Sequence, residues 1–372
     1  MTSKLPKIIR RVWGSDGVHR GDGGKSRPFT RTRYSQKSAG ARLCGAIKTG
    51  LAAGLIAAAL TCLPQGGGAS PLTMPERGVI LTGAEKQTYI ANKMQAFFRP
   101  QSTASAQPFA APDGWTWAHE SIGGIRVEHM RAANKETNRV ILQLHGGGYV
   151  LGMSDAHRLL ALRQAVRTRA AEVYAVDYRL APTHVYPAAL EDAAAVYQGL
   201  LSRGVKPWNI ILVGDAAGGN LALELALHLR EQKIPLPSVI ALASPWATLE
   251  HAENTSRTTK AAEDMVLGIG TPLYDAVKAP AYAGALDRKD PRLSPVYADL
   301  TGLPPLLIQT GGNELFLTEN QKLAEKAAAD GVPVMLSIYP GMPHDFALLL
   351  PEMEESIQSI REIADFVNRC MN

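Results

Sequence analysis

Four short stretches hold the residues whose types and spacing could do chemistry. In "VGDAAGGN" (213–220), Gly214 and Gly218 stand four apart after the apolar run "NIILV", and a helix-like pattern, "NLALELALHLREQ", follows at once. A strand, a tight turn and a helix in that order lift the turn's apex residue clear of a sheet, where it can act as a nucleophile. The apex here is Ala216, and a methyl group cannot attack anything. In "LHGGGYVLG" (144–152), three consecutive glycines leave backbone N–H groups uncovered and able to face a developing oxyanion. "YPGMPHDF" (339–346) carries His344 after the last strand candidate, where a nucleophile–acid–base chain order puts the general base. "QTGGNELFLTEN" (309–320) offers Asn313 and Glu314 where the orienting carboxylate belongs. Asn cannot supply the charge that stabilises an imidazolium, so Glu314 is the acid by elimination. Its carboxylate should lie within about 3.2 Å of a His344 ring nitrogen.

None of these signals decides alone. With 34 glycines in 372 residues, about three Gly-x-x-x-Gly pairs arise by chance. Context does more, because each stretch follows an apolar run with strand character. Those runs are 124–130, 139–145, 172–178, 209–214, 238–244, 305–311 and 334–340. Between and after them lie helical patterns at 155–170, 188–203, 219–232, 320–330 and 353–370. Strands alternating with helices predict a mostly parallel sheet covered on both faces. Residues 246–285 break the rhythm as an insertion, and residues 71–118, with Phe97, Phe98, Trp115 and Trp117, form an aromatic lead-in.

The net charge of +5 is unevenly placed. Residues 1–48 hold twelve Lys/Arg against Asp16 and Asp22, a balance of +10; the remaining residues carry −5. The basicity therefore belongs to the N-terminal segment, which removes the main support for a nucleic-acid partner. The fifteen-residue uncharged run 49–63 is short for a membrane span and suits the apolar region of an export signal, with small residues after it and a cleavage candidate at Ala69. Residues 1–70 are read as a leader, and the protein as exported, periplasmic or secreted; a cytoplasmic protein with a disordered tail is the alternative. The three cysteines (Cys44, Cys62, Cys370) make no disulfide framework, and there is no H-E-x-x-H or other metal-ligand cluster. "GDGGKS" (21–26) lacks the first glycine of a phosphate loop.

Taken together, "HGGGYV", "DYRLAP" (177–182), "GDAAGGN", "DPRLSP" (290–295), "GLPPLLIQTG" (302–311) and "GMPHDF" resemble the bacterial hormone-sensitive-lipase-like branch of the α/β-hydrolases over residues 72–370. The resemblance implies an eight-stranded, mostly parallel sheet with a helical cap made by residues 71–118 and 246–285, and a core of 119–245 and 286–372. It implies an oxyanion hole from the N–H groups of Gly147, Gly148 and Ala217, and a carboxylesterase that needs no metal or cofactor and acts on small to medium esters. The one departure from the family's elbow, G-D-S-A-G-G-N, is Ala216. A relic under no catalytic constraint should have lost other parts too, so an engineered, inactive esterase is favoured over a natural pseudoenzyme. A non-catalytic ligand-binding protein, and an amidase or lactonase on the same machinery, remain alternatives. The reading expects no nucleic acid and no stable membrane span, and leaves room for a homodimer.

Overall fold

A computed structural model describes residues 9–14, 17–20, 72, 74–98, 109–251 and 255–371. The apolar runs form strands β4 (Ile125–Ala132), β5 (Val140–Leu144), β6 (Glu172–Val176), β7 (Ile210–Asp215), β8 (Val239–Ala243), β9 (Leu306–Gly311) and β10 (Val334–Tyr339). An edge strand, β3 (Trp115–Ile122), pairs antiparallel with β4 and completes the expected eight. Two further strands, β1 (Ile9–Gly14) and β2 (Gly17–Arg20), extend the sheet to ten in the order β2-β1-β10-β9-β8-β7-β5-β6-β4-β3. From β6 through β5, β7, β8, β9 and β10 every pairing is parallel. Every residue of β5 and β7 is buried, as strands covered on both faces require.

The pleat sends alternate side chains to opposite layers. Ile141, Ile211 and Val213 pack with Leu162 and Ala165 of helix α2 (Asp155–Thr168) and with Ile363, Phe366 and Val367 of the C-terminal helix. Leu142, Leu144, Ile210 and Leu212 face the other way, toward α3 (Ala188–Ser202) and α4 (Ala216–Glu231). The C-terminal helix, Glu354–Cys370, buries a stripe of Ile357, Ile360, Ile363, Ala364 and Val367, as the 3.6-residue period of its sequence predicts.

Three features differ from the sequence reading. The sequence reading places a leader over residues 1–70, yet Ile9–Gly14 and Gly17–Arg20 pair antiparallel, and the first of these strands runs parallel to β10. Arg10 pairs with Glu325, and Arg11 reaches the buried Glu362 at 3.2 Å. The export-signal run 49–63, Ala69, Cys44 and Cys62 lie outside the described residues. In the lead-in, Gly83–Phe97 is a helix (α1) that buries Ile90 and Met94. Trp115 and Trp117, by contrast, stand on β3, and the 118/119 boundary falls inside that strand. An edge strand with one wet face carries too weak an apolar pattern to announce itself. Among the described residues no helix is long and apolar enough to cross a membrane, and no group of three or more His, Cys, Asp or Glu could hold a metal ion.

Candidate active site

The strand β7 passes into α4 with no intervening loop, so Ala216 takes the turn with φ at +47°. Such a backbone strains any residue with a Cβ, and it holds here because the surroundings leave no alternative. A Cβ on Gly214 would lie 2.3 Å from the Gly218 carbonyl oxygen, and one on Gly218 would lie 2.0 Å from the Leu144 carbonyl oxygen. The close approach of helix start and strand end is therefore why both glycines are needed. Gly218→Ala should force these backbones apart and cost about 1–3 kcal/mol of stability, read as a lowered denaturation midpoint at unchanged m-value.

The triglycine loop sits against this turn. Gly146 N–H donates to Asp215 Oδ2 at 2.8 Å, and a Cβ on Gly146 would meet that oxygen at 2.1 Å. Gly147 and Gly148 have φ of +107° and +63°, so their N–H groups take directions that most residues could not give them. Tyr149 donates its hydroxyl proton to Asn220 Oδ1 at 2.6 Å, while Asn220 Nδ2 donates to the carbonyls of Trp246 and Leu293. One buried amide thus ties the loop, α4 and the segment after β8 together. Tyr149 also stacks on Tyr282 at 3.6 Å between ring centroids. Asp192 accepts from the backbone N–H and side chain of Arg179 and braces the "DYRLAP" turn.

Ala216, Ala217, Gly147, Gly148 and His344 line one cavity. Its remaining wall is mostly apolar: Phe97 at the end of α1; Val266, Leu267, Leu273, Ala276 and Val277 from the 255–285 segment; Trp246; and Phe316. Phe316 meets the His344 ring edge-on at 4.9 Å.

Glu314 is fully buried, while its neighbour Asn313 turns to a separate surface groove. Glu314 Oε2 lies 4.0 Å from His344 Nδ1, beyond the hydrogen-bonding reach that the sequence reading expects. The carboxylate is engaged elsewhere. Its Oε2 accepts from Ser244 Oγ at 2.7 Å and Gly311 N–H at 2.9 Å, and its Oε1 accepts from Thr310 Oγ1 at 2.6 Å. Burial still pushes the Glu314 carboxyl up to about 8 against these donors, and burial pushes the His344 imidazole down to about 3. The imidazole is therefore neutral at pH 7, the form that can take a proton. Glu319 points away and pairs with the buried Arg257 at 2.8 Å. Asp345 is buried, and its N–H donates to Ser244 Oγ at 3.1 Å. Ser244 and Thr310 are not singled out from the sequence. Nothing in their local pattern separates them from ordinary polar residues at strand ends.

A family model described as the alpha/beta hydrolase fold matches residues 141–348. An esterase of Acinetobacter venetianus is 36% identical over 251 residues, covering 66% of this chain and 79% of that protein. An acetyl-hydrolase of Streptomyces hygroscopicus is 36% identical over 247 residues, covering 66% and 81%. The crystal structure of an esterase from the bacterial hormone-sensitive lipase family superposes with a TM-score of 0.69 at 31% identity, covering 78% of this chain and all of that one. The chain belongs to the α/β-hydrolase family, in its bacterial hormone-sensitive-lipase-like branch of carboxylesterases.

Proposed function

We propose that this chain is a carboxylesterase for small to medium uncharged esters, held in an inactive form by alanine at the nucleophile position. The observation that carries the reading is the apex at residue 216. It is a strained, two-glycine elbow that opens into a cavity shared with His344 and the Gly147–Gly148 loop. In the proposed mechanism a serine at 216 attacks the ester carbonyl. His344 takes the serine proton and later returns it to the leaving alcohol, and Glu314 stabilises the imidazolium between those steps. The N–H groups of Gly147, Gly148 and Ala217 receive the oxyanion; Ala217, in the first turn of α4, has an N–H with no partner inside the helix. The apolar lining suits an uncharged acyl or alcohol group, and Phe97 and Leu273 bound its size. The relatives' names, esterase and acetyl-hydrolase, support the reaction class.

Position 216 is read as an engineered Ser→Ala exchange, because the glycines, Glu314 and His344 are all still in place around it. Export belongs to the same proposal and is supported only by the composition of residues 1–70. An ester and its matching amide, both offered to the Ala216→Ser protein, test the reaction class. Cleavage of the amide in preference would make it an amidase.

The electrostatics add a pH test. Proton transfer needs a neutral His344 and, by this reading, an ionised Glu314. With His344 down near 3 and Glu314 up near 8, the acid limb of kcat/KM belongs to the carboxylate. In the Ala216→Ser protein, kcat/KM should climb about tenfold per pH unit below 8 and level off above it. A limb centred in the ordinary histidine range, near 6.5, would assign it to His344 and reject this assignment.

A further inference from the structure

The acid loop is gripped from a second side, by a carboxylate that the proposed reaction does not use. Asp264 lies in the 255–285 segment and is 3% exposed. Its Oδ1 accepts from the N–H groups of Val266 at 2.8 Å and Leu267 at 2.9 Å, which closes a tight local turn. Its Oδ2 accepts from Leu315 N–H at 2.7 Å, 51 residues further along the chain. Val266 and Leu267 line the cavity, and Leu315 stands between Glu314 and Phe316. One side chain therefore joins the apolar wall to the loop that carries the acid. Burial pushes the Asp264 carboxyl up to about 6 against these donors, so at pH 7 it is ionised and its three bonds are charge-assisted.

The turn leaves little freedom. Asp264 N–H donates to the Lys260 carbonyl, and its own carbonyl accepts from Gly268 N–H at 3.0 Å. A Cβ on Gly268 would lie 2.2 Å from that carbonyl oxygen. Two neighbouring contacts bind the same pair of segments. Ser256 Oγ accepts from Thr318 N–H at 3.0 Å, and the buried Arg257, paired with Glu319, lies over the Phe316 ring. The Glu314 carboxylate, by contrast, is held from the sheet, by Ser244 after β8 and by Thr310 and Gly311 of β9. The sheet fixes the carboxylate, and the 255–285 segment fixes the backbone beside it. Where Glu314 sits relative to His344, 4.0 Å away, depends on both.

We propose that Asp264 is a positioning residue: by holding Leu315 N–H it sets the backbone from which Glu314 reaches toward His344, and it locks that setting to the Val266–Leu267 wall of the cavity. Its kinetic consequence rests on the esterase reading; the tie itself does not. Asp264 does not line the cavity, so its effect on the reaction runs through Glu314. A catalytic group displaced by about 1 Å can cost about 10²-fold in rate.

Two variants separate the local turn from the tie. In Asp264→Ser the hydroxyl still accepts from Val266 or Leu267 N–H but is too short to reach Leu315. Asp264→Asn keeps the shape; its carbonyl oxygen goes to the side with two donors, which leaves an NH₂ group against Leu315 N–H. In the chain as it stands, hydrogen–deuterium exchange of the 312–318 backbone should quicken at least about tenfold in either variant, while 214–220 keeps the parent rate. In the Ala216→Ser background each should lower kcat about 10–100-fold with KM within about threefold, because the wall keeps its own turn. With Glu314→Gln added to that background, the same substitutions should cost no more than about a further twofold. If Asp264→Ser fails to fold, the closer isostere Asp264→Asn carries every measurement. Unchanged exchange at 312–318 in a folded variant removes the tie and overturns the proposal. So does full kcat, a loss confined to KM, or an equal loss with and without Glu314→Gln. If Ala216→Ser alone shows no ester hydrolysis, the esterase reading fails, and the exchange rates still decide the tie.

Discussion

A serine introduced at position 216 is expected to raise hydrolysis of a short p-nitrophenyl ester by about 10³–10⁶ over the chain as it stands, the range set by nucleophile removal in hydrolases of this kind. The expectation is this large because the exchange requires nothing else to move. The apex already holds φ +47°, enforced by the contacts of Gly214 and Gly218 with the facing backbone. Residue 216 lines the cavity beside His344, so one added hydroxyl would face a neutral imidazole. On the proposed mechanism, the alanine chain keeps binding and oxyanion stabilisation, which by themselves accelerate acyl transfer about 10³–10⁴ over water. A serine variant that folds and binds esters yet stays at the alanine background across an ester panel would instead make this a ligand-binding protein on a hydrolase fold.

In that serine background, Glu314→Gln should lower kcat by about 10³–10⁴ with little change in KM, whereas Asn313→Ala should stay within about threefold. The charge matters only when the imidazolium forms, so the loss falls on the transition state. The glutamine also meets the donors poorly. Ser244 Oγ and Gly311 N–H both point at Oε2 and Thr310 Oγ1 points at Oε1, so one side or the other would face an NH₂ group. The 4.0 Å gap to His344 Nδ1 makes the test sharper. If substrate draws the ring and the carboxylate together, the full penalty appears. A loss no larger than that of Asn313→Ala would show that Glu314 only organises its loop.

The sheet and its helices were legible from residues 124 to 370. Buried parallel strands such as Ile210–Asp215 are continuous apolar runs, and the surface helix Glu354–Cys370 has a clear apolar stripe. The N-terminal part was much less so. Gly83–Phe97 buries only Lys86, Ile90 and Met94, and Lys86 does so by pairing with Glu355 at 2.6 Å. A lysine buried by a distant glutamate cannot be told from a solvated one in sequence. The strand Ile9–Gly14 was hidden for a similar reason. Its partner, Val334–Tyr339, lies near the other end of the chain, and the basic composition around it suggested a leader.

What the sequence by itself determined is the elbow and the identity of the groups around it. Two glycines four apart between an apolar run and a helix admit one backbone path, because the steric limits act within a few residues. What only the tertiary structure decided is how those groups are held and charged. Which of Asn313 and Glu314 turns inward depends on the path of one loop over β9 and on Ser244, which also receives the N–H of Asp345, 101 residues further on. The displaced ranges of Glu314 and His344 arise from burial among partners gathered from several strands and loops. Charge states in a low-dielectric interior are set by every group nearby, and those neighbours are not neighbours in the chain.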